Sequence, residues 1–593
     1  MTRRFAYTLP FGATVIAPDQ TDFRLWAPAF ETVHLEIEGR RAIAMHRDRD
    51  GWFTAETNAA PGARYRYRVG DLLVPDPASR AQADDVHGPS LVVDPAAYAW
   101  QYPDWQGRPW HEAVIYELHA GALGGFAGVA DFLPHLADLG VTAVELMPIA
   151  DFAGPRNWGY DGVLPYAPDA AYGTPDDLKR MIDTAHGLGL MVLLDVVYNH
   201  FGPDGNYLPV LAPQFYRHDR KTPWGDAIDF RLPEVRDFFI QNALYWLMEY
   251  RVDGLRLDAV HAIADDSFLH DLERAARAAA EPGRHIHLTV ENESNSASLL
   301  RTGPDAPGYD AQWADDTHHA LHVLLTGETE AYFEDFAENP ADMLARSLSE
   351  GFAYQGEHST HADAPRGEPS GHLPPTAFII CLQNHDQIGN RAFGDRIAGL
   401  ADPDALLAAT LVLLLSPQIP LLFMGEEWGT LRPFLYFAAH EGELAEAIRQ
   451  GRRREFARFS AFTDEARRET IPDPGHPDTF TASTLDPAEA GHPSHASSLA
   501  LHRDLLRIRA EAIVPRIPGA VSIGAAALGT TGLRAAWRLG DGATLTIAAN
   551  FGAEPIAVGA LRGITLFATG AAEAGADTLP PRSAIATLED AQP

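Results

Sequence analysis

Cysteine is nearly absent: the single Cys381 in 593 residues leaves no intramolecular disulfide and fits a reducing compartment. Positive charge is scarce as well. Lys+Arg 46 against Asp+Glu 81 gives a formal −35, which repels polyphosphates and argues against a nucleic-acid partner. The one basic run, Arg452-Arg453-Arg454 followed by Glu455, reads as a helix face or a set of internal salt-bridge partners. An unbroken apolar stretch of membrane length is missing too. The longest, LLAATLVLLLSPQIPLLFMG at 406–425, is divided by Pro417 and Pro420 into a helix and a following strand, both expected in the core. The opening MTRRFAYTLPFGATVIAP has two arginines but no apolar h-region and no small-residue cleavage site. It reads as mature protein, so a cytoplasmic location without a membrane partner is expected. P-loop, HExxH and clustered-cysteine patterns are lacking, which removes the usual phosphate cradles and metal clamps, and there is no solenoid repeat.

What is present is an ordinary globular composition, 46% hydrophobic and 21% charged, in a chain long enough for two to four domains at about 150 residues each. Residues 1–105 alternate apolar and polar, as in VHLEIE and YRYRV, and predict a small immunoglobulin-like β-sandwich. HRDRDGW within it has the wrong acidic spacing for a calcium loop and reads as a plain turn. Residues 106–514 change to short apolar strands alternating with helical patterns. The strand candidates are AVIYELH, VTAVELMPI, MVLLDVVYNH, DGLRLDAV, IHLTVEN, YDAQW, FIICLQNHD and IPLLFMGEE. Eight β-then-helix units of this kind predict an α/β fold, a closed (β/α)8 TIM barrel. In TPDDLKRMIDTAHGLG, Thr174 is the expected N-cap and Pro175 the first helical residue, with Leu178, Met181, Ile182, Ala185 and Leu188 at helical spacing on one face before Gly189. Residues 515–593 return to strand patterns around the turn Gly540-Asp541-Gly542 and predict a small C-terminal β-domain. Two stretches break the rhythm: 357–376, a long loop without periodicity, and 465–498, rich in Pro, Gly, Ser and His.

A barrel delivers the C-terminal ends of its strands to one rim, where such enzymes place their chemistry. Here the third strand ends in Asp195, Asn199 and His200, the fourth in Arg256, Asp258 and His261, the fifth in Glu291, and the seventh in Asn384, His385 and Asp386. An isolated R-x-D reads as a structural ion pair. Beside Glu291 and Asp386 it reads instead as part of a catalytic pocket, in which Arg256 keeps Asp258 ionised and oriented. Paired carboxylates suit glycoside chemistry: one attacks the anomeric carbon and the other protonates the departing oxygen. Negative charge on Asp258 and Asp386 is expected to raise the Glu291 pKa. Glu293 competes for the acid/base position, and falls in the loop beyond the strand.

DVVYNH, DGLRLDAVHA, TVEN and LQNHDQ, in this order and on these strands, resemble the four signature segments of the α-amylase superfamily of glycoside hydrolases. The resemblance implies Asp258 as nucleophile, Glu291 as general acid/base and Asp386 as the transition-state stabiliser. It also implies supporting roles for Arg256, His200 and His385, a sugar platform at Tyr160 and a structural position for Asp195. RNWGYDGVLPYAPDAAYGTPDDLKRMIDTAH, TPWGDAIDF, DAQWADDTHHALHVLLTGE and LQNHDQIGNRAFGDR narrow the resemblance to the maltooligosyltrehalose trehalohydrolases. That family cleaves the α-1,4 bond next to the terminal trehalose of its substrate. The resemblance therefore implies a maltooligosyltrehalose α-glucan substrate and a functional partner in the synthase that makes it. GALGGFAG after His119 is shorter than expected for that family. Trp158, Trp224, Tyr354 and Phe434 are candidate sugar-stacking aromatics. Glycogen-branching or debranching activity is the alternative within the superfamily, and a non-catalytic glucan-binding role the alternative outside it. No cofactor is required by this chemistry and no essential metal is expected.

Overall fold

A computed structural model describes residues 4–303, 306–573 and 575–591. The eight expected strands form, each shorter than its apolar run: β1 (Ile115–Leu118), β2 (Ala143–Leu146), β3 (Met191–Val196), β4 (Gly254–Leu257), β5 (His287–Val290), β6 (Ala311–Trp313), β7 (Phe378–Cys381) and β8 (Ile419–Phe423). They close in sequence order into one barrel, with Leu421 of β8 opposite Ile115 of β1. Parallel pairing needs crossovers, and the helix Pro175–Gly187 is one of them. Its capping box joins Thr174 and Asp177, so the local signals of the sequence specify its start, whereas Leu188, expected on the buried face, is the C-cap residue beyond Gly187 and is exposed.

The barrel interior is layered. Ile115, Met191, Leu193, Ile379, Ile419 and Leu421 belong to one apolar cluster. Two residues further along their strands, Glu117, Glu145 and Asp195 are fully buried, with Arg256 beside them. Strand alternation places the three carboxyl groups on the same side as Ile115, Ala143 and Leu193 of that cluster, so a charged layer lies on an apolar plug, toward the C-terminal rim.

Ahead of the barrel, a four-stranded and a five-stranded antiparallel sheet share a core of Phe23, Leu25, Leu35, Phe53, Tyr65 and Tyr67. HRDRDGW is a turn in which Asp48 accepts hydrogen bonds from the Asp50 and Trp52 amides. After the barrel comes a five-stranded sheet whose strands Gly532–Arg538 and Thr544–Asn550 pair antiparallel across the expected turn. The apolar run 406–425 divides as its prolines dictate, into the helix Pro403–Leu415 and β8. Among the described residues no helix is long and apolar enough to cross a membrane.

Three segments carry more structure than their composition suggests. The stretch 357–376 contains a small hairpin, His358–Ser359 with Ala364–Pro365, and is tied down by Arg366. That guanidinium donates to the Glu293 carbonyl (2.8 Å) and pairs with Asp316 (2.9 Å). Between β3 and its helix, the segment 201–232 holds the short helix Leu208–Leu211 and a hairpin, Tyr216–Thr222 with Gly225–Ile228. In 465–498 the helix Pro477–Ser483 is capped by His476. Side-chain hydrogen bonds at hairpin ends and caps, rather than hydrophobic periodicity, order these pieces.

Candidate active site

The charged groups at the ends of β3, β4, β5 and β7 meet. Arg256, fully buried on β4, donates from Nη1 to Asp195 Oδ2 (2.6 Å) and to Asp258 Oδ1 (2.9 Å). Its Nη2 makes an ionic contact of 3.2 Å with Glu291 Oε2, without hydrogen-bond alignment. One guanidinium therefore bridges both carboxyl groups, and its planar fork is what lets neighbouring nitrogens face different partners. The other Asp258 oxygen accepts from Asn199 Nδ2 (2.8 Å), and the same amide donates to the Asp258 carbonyl (2.8 Å).

Glu291 is held by the backbone. Ala259 has φ +40°, in the left-handed region that a β-carbon disfavours, and its N–H donates to Glu291 Oε2 (2.8 Å). Local strain right after the expected nucleophile thus aims a donor at the expected acid/base. Glu293, the competing glutamate, is 76% exposed at its side chain and faces His261 at 3.7 Å, away from this cluster.

Opposing environments separate the two carboxyl groups. Burial disfavours charge on Asp258, but Arg256, His200 and the Asn199 amide outweigh it and hold its carboxyl below the usual range. Burial is also the largest influence on Glu291, where it wins. With Asp258, Asp386 and Asp315 adding negative charge against the opposing Arg256, the Glu291 carboxyl rises well above its ordinary value. The charge neighbours expected from the sequence contribute, behind the larger effect of desolvation.

Around this centre, Tyr160 donates to Asp195 (2.7 Å), and its hydroxyl lies 2.8 Å from His385 Nε2, with the two rings stacked at 5.1 Å. His385 Nε2 is 3.6 Å from Asp386 Oδ1. Asp386 lies in the helix His385–Gly389, capped by Asn384, with 42% of its side chain exposed and Asn390 donating to it (3.2 Å). On the opposite side of the imidazole, His385 Nδ1 pairs with Glu117 of β1, and burial notwithstanding, Glu117 and Asp386 raise its pKa to about 9. His200 contacts the Tyr160 carbonyl (2.9 Å), and Trp224 stacks flat on it at 4.4 Å and 5°. Trp224, at the turn of the 216–228 hairpin, is 47% exposed.

The other three aromatic candidates are not available to a sugar. Trp158, Tyr354 and Phe434 are buried; Trp158 and Phe434 stack on each other at 5.4 Å, and Trp158 packs edge-on against His385 at 5.5 Å. Conversely, Glu117, Glu145 and Asp315 join the site without being among the residues expected there. Glu117 and Glu145 stand inside apolar strands as Arg256 does, and the same incongruity would have exposed them. Asp315 follows β6, and burial with Asp386 nearby pushes its pKa up to about 7. His119, at the end of β1, is followed at once by the turn Gly121–Leu123 and the helix Gly125–Leu139, so the short GALGGFAG segment leaves no extended loop there. Among the described residues no group of three or more His, Cys, Asp or Glu is arranged to hold a metal ion.

Residues 84–209 match the family described as "Alpha amylase, catalytic domain", and residues 522–586 match a domain of unknown function, DUF3459. A solved candidate alpha amylase from Salmonella typhimurium superposes with a TM-score of 0.93 at 45% identity, covering 98% of this chain and 100% of that one. A 1,4-alpha-glucan branching enzyme from Thiobacillus denitrificans aligns at 35% identity over 40% of this chain and 37% of its own. Malto-oligosyltrehalose trehalohydrolases match far more fully: that of Arthrobacter ramosus is 42% identical over 82% of this chain and 87% of its own, and that of Deinococcus radiodurans 41% over 86% and 83%. Likeness of that depth, sustained over more than four fifths of each chain compared, means that the chain belongs to the malto-oligosyltrehalose trehalohydrolase family.

Proposed function

We propose that the protein is a retaining glycoside hydrolase that cleaves the α-1,4-glucosidic bond next to the terminal trehalose of a maltooligosyltrehalose, releasing trehalose and a maltooligosaccharide. One observation carries the chemistry: a single buried guanidinium touches two carboxyl groups whose surroundings drive their protonation in opposite directions. Family membership supports the substrate.

In this reading Asp258 is ionised and Glu291 protonated at neutral pH. The Asp258 carboxylate forms a bond to the anomeric carbon as the glycosidic C–O bond breaks, and Glu291 gives its proton to the departing trehalose oxygen. Glu291, now a carboxylate, takes a proton from water whose oxygen bonds to the same carbon while the ester to Asp258 breaks. Two inversions restore the α configuration and both carboxyl groups. Arg256 keeps Asp258 charged until attack. Asp386 and His385 take sugar hydroxyls, Tyr160 lies under the reacting glucose, and His200 with Trp224 continues that surface. The catalytic unit is residues 106–514, flanked by the units 1–105 and 515–593. The reaction needs no cofactor, and a maltooligosyltrehalose synthase supplies the substrate.

Product analysis of wild type and Asp258→Asn on maltotriosyltrehalose, with maltopentaose and amylopectin as controls, tests the reading. Trehalose plus maltotriose is expected from the wild type alone. Better turnover of maltopentaose or amylopectin, or new branch points, would sink the trehalohydrolase assignment.

A further inference from the structure

Glu145 is a buried titratable group to which the mechanism gives no task. It stands on β2 in register with Glu117 of β1 and Leu193 of β3, and it is 1% exposed. Neither of its carboxyl oxygens has a hydrogen-bond partner. The charged groups that act on it most are Glu117 on β1, Asp195 on β3, Arg256 on β4 and His385 in the helix after β7.

The two cations in that set are committed elsewhere. Arg256 serves Asp195, Asp258 and Glu291, and His385 pairs with Glu117 while lying 3.6 Å from Asp386. An ionised Glu145 would add a further negative charge to a layer that already holds Glu117, Asp195 and Asp258. An unpaired buried carboxylate is unfavourable by several kcal/mol, and the group escapes this by keeping its proton. Burial first, then Glu117 and Asp195, push its carboxyl well above the ordinary range, against the opposing Arg256 and His385.

We propose that Glu145 is a positioning residue of the active site: a neutral carboxylic acid that fills the layer beneath the rim, beside Glu117 in the strand register, without drawing Arg256 away from Asp258. A charged group would compete for the guanidinium that Asp258 requires. The catalytic consequence rests on the hydrolase reading above; the protonation state does not, because it is read without substrate.

The test has two parts. Infrared difference spectra of the purified enzyme at pH 7 should show a protonated-carboxyl C=O band that is lost in Glu145→Gln; Glu291→Gln identifies the separate band of the acid/base. In the second part, Glu145→Gln should keep kcat, KM and the pH profile of kcat/KM within about threefold. Glu145→Ala should lower kcat roughly tenfold with KM little changed, as displacement of positioned groups does. Absence of the band, loss of activity in folded Glu145→Gln, or full activity in Glu145→Ala would each overturn the proposal. If maltotriosyltrehalose is not cleaved at all, the function assignment fails while the infrared result still decides the state of Glu145.

Discussion

Replacing Arg256 with methionine tests the electrostatic design of the site. The substitution keeps a long apolar stem over Trp313, where the guanidinium carbon now lies 4.2 Å from the ring centre, and removes the charge. Asp258 loses a partner at 2.9 Å, whose Coulomb attraction is about 6 kcal/mol at an effective dielectric of about 20. Asp195 loses one at 2.6 Å. Part of that attraction is offset by desolvation of the arginine, so stripping one partner from this buried group should destabilise the fold by about 3–5 kcal/mol. Because Asp258 is held below its ordinary range, its pairing contributes stability above its unfolded pKa and loses it as pH falls through the folded value. In the variant that contribution disappears, and the Asp258 carboxyl rises. Two measurements follow: urea unfolding at pH 7, and the pH profile of kcat/KM on maltotriosyltrehalose. The unfolding midpoint should fall with little change in slope, and the acidic limb of the profile should move up by at least one pH unit, about 1.4 kcal/mol. An acidic limb at its wild-type position, in a folded variant, would refute the claim that Arg256 sets the charge of Asp258.

Trp224→Ala should raise KM for maltotriosyltrehalose about fivefold, the equivalent of about 1 kcal/mol of lost stacking, while kcat and the unfolding midpoint stay put, since the ring is 47% exposed; a lowered midpoint would mark Trp224 as structural. Glu117→Gln concerns His385, whose pKa is raised from 6.5 to about 9. A raised pKa stabilises the fold fully below pH 6.5, and that contribution drains away between pH 6.5 and 9. Wild type should therefore lose unfolding free energy across this window, and Glu117→Gln should flatten the slope; equal slopes in the two proteins would show that Glu117 does not hold the imidazolium.

The barrel was legible because its strands are short apolar runs with polar ends, and the site because four such ends carry Asp195, Arg256 with Asp258, Glu291 and Asp386. Residues whose role depends on the neighbouring strand were not. Glu117 and Glu145 stand out as charges inside apolar strands, two residues beyond Ile115 and Ala143, but only register places them side by side beneath the rim. Aromatic residues were equally mute: nothing local distinguishes Trp224, exposed on a hairpin, from Trp158, packed against Phe434. The left-handed Ala259 has no sequence signal either, since an alanine gives no hint of positive φ.

The helix Pro403–Leu415 is apolar on every side and packs against the strands Thr544–Asn550 and Ser583–Glu589 of the C-terminal sheet as well as against other helices of the barrel. Those strands are made well over a hundred residues after the helix. During synthesis, at about 5–20 residues per second, the barrel leaves the ribosome with this helix uncovered and waits seconds for its cover. Burial of this helix is therefore complete only once the C-terminal strands are made, and until then its uncovered apolar face is a place where the nascent chain is open to aggregation.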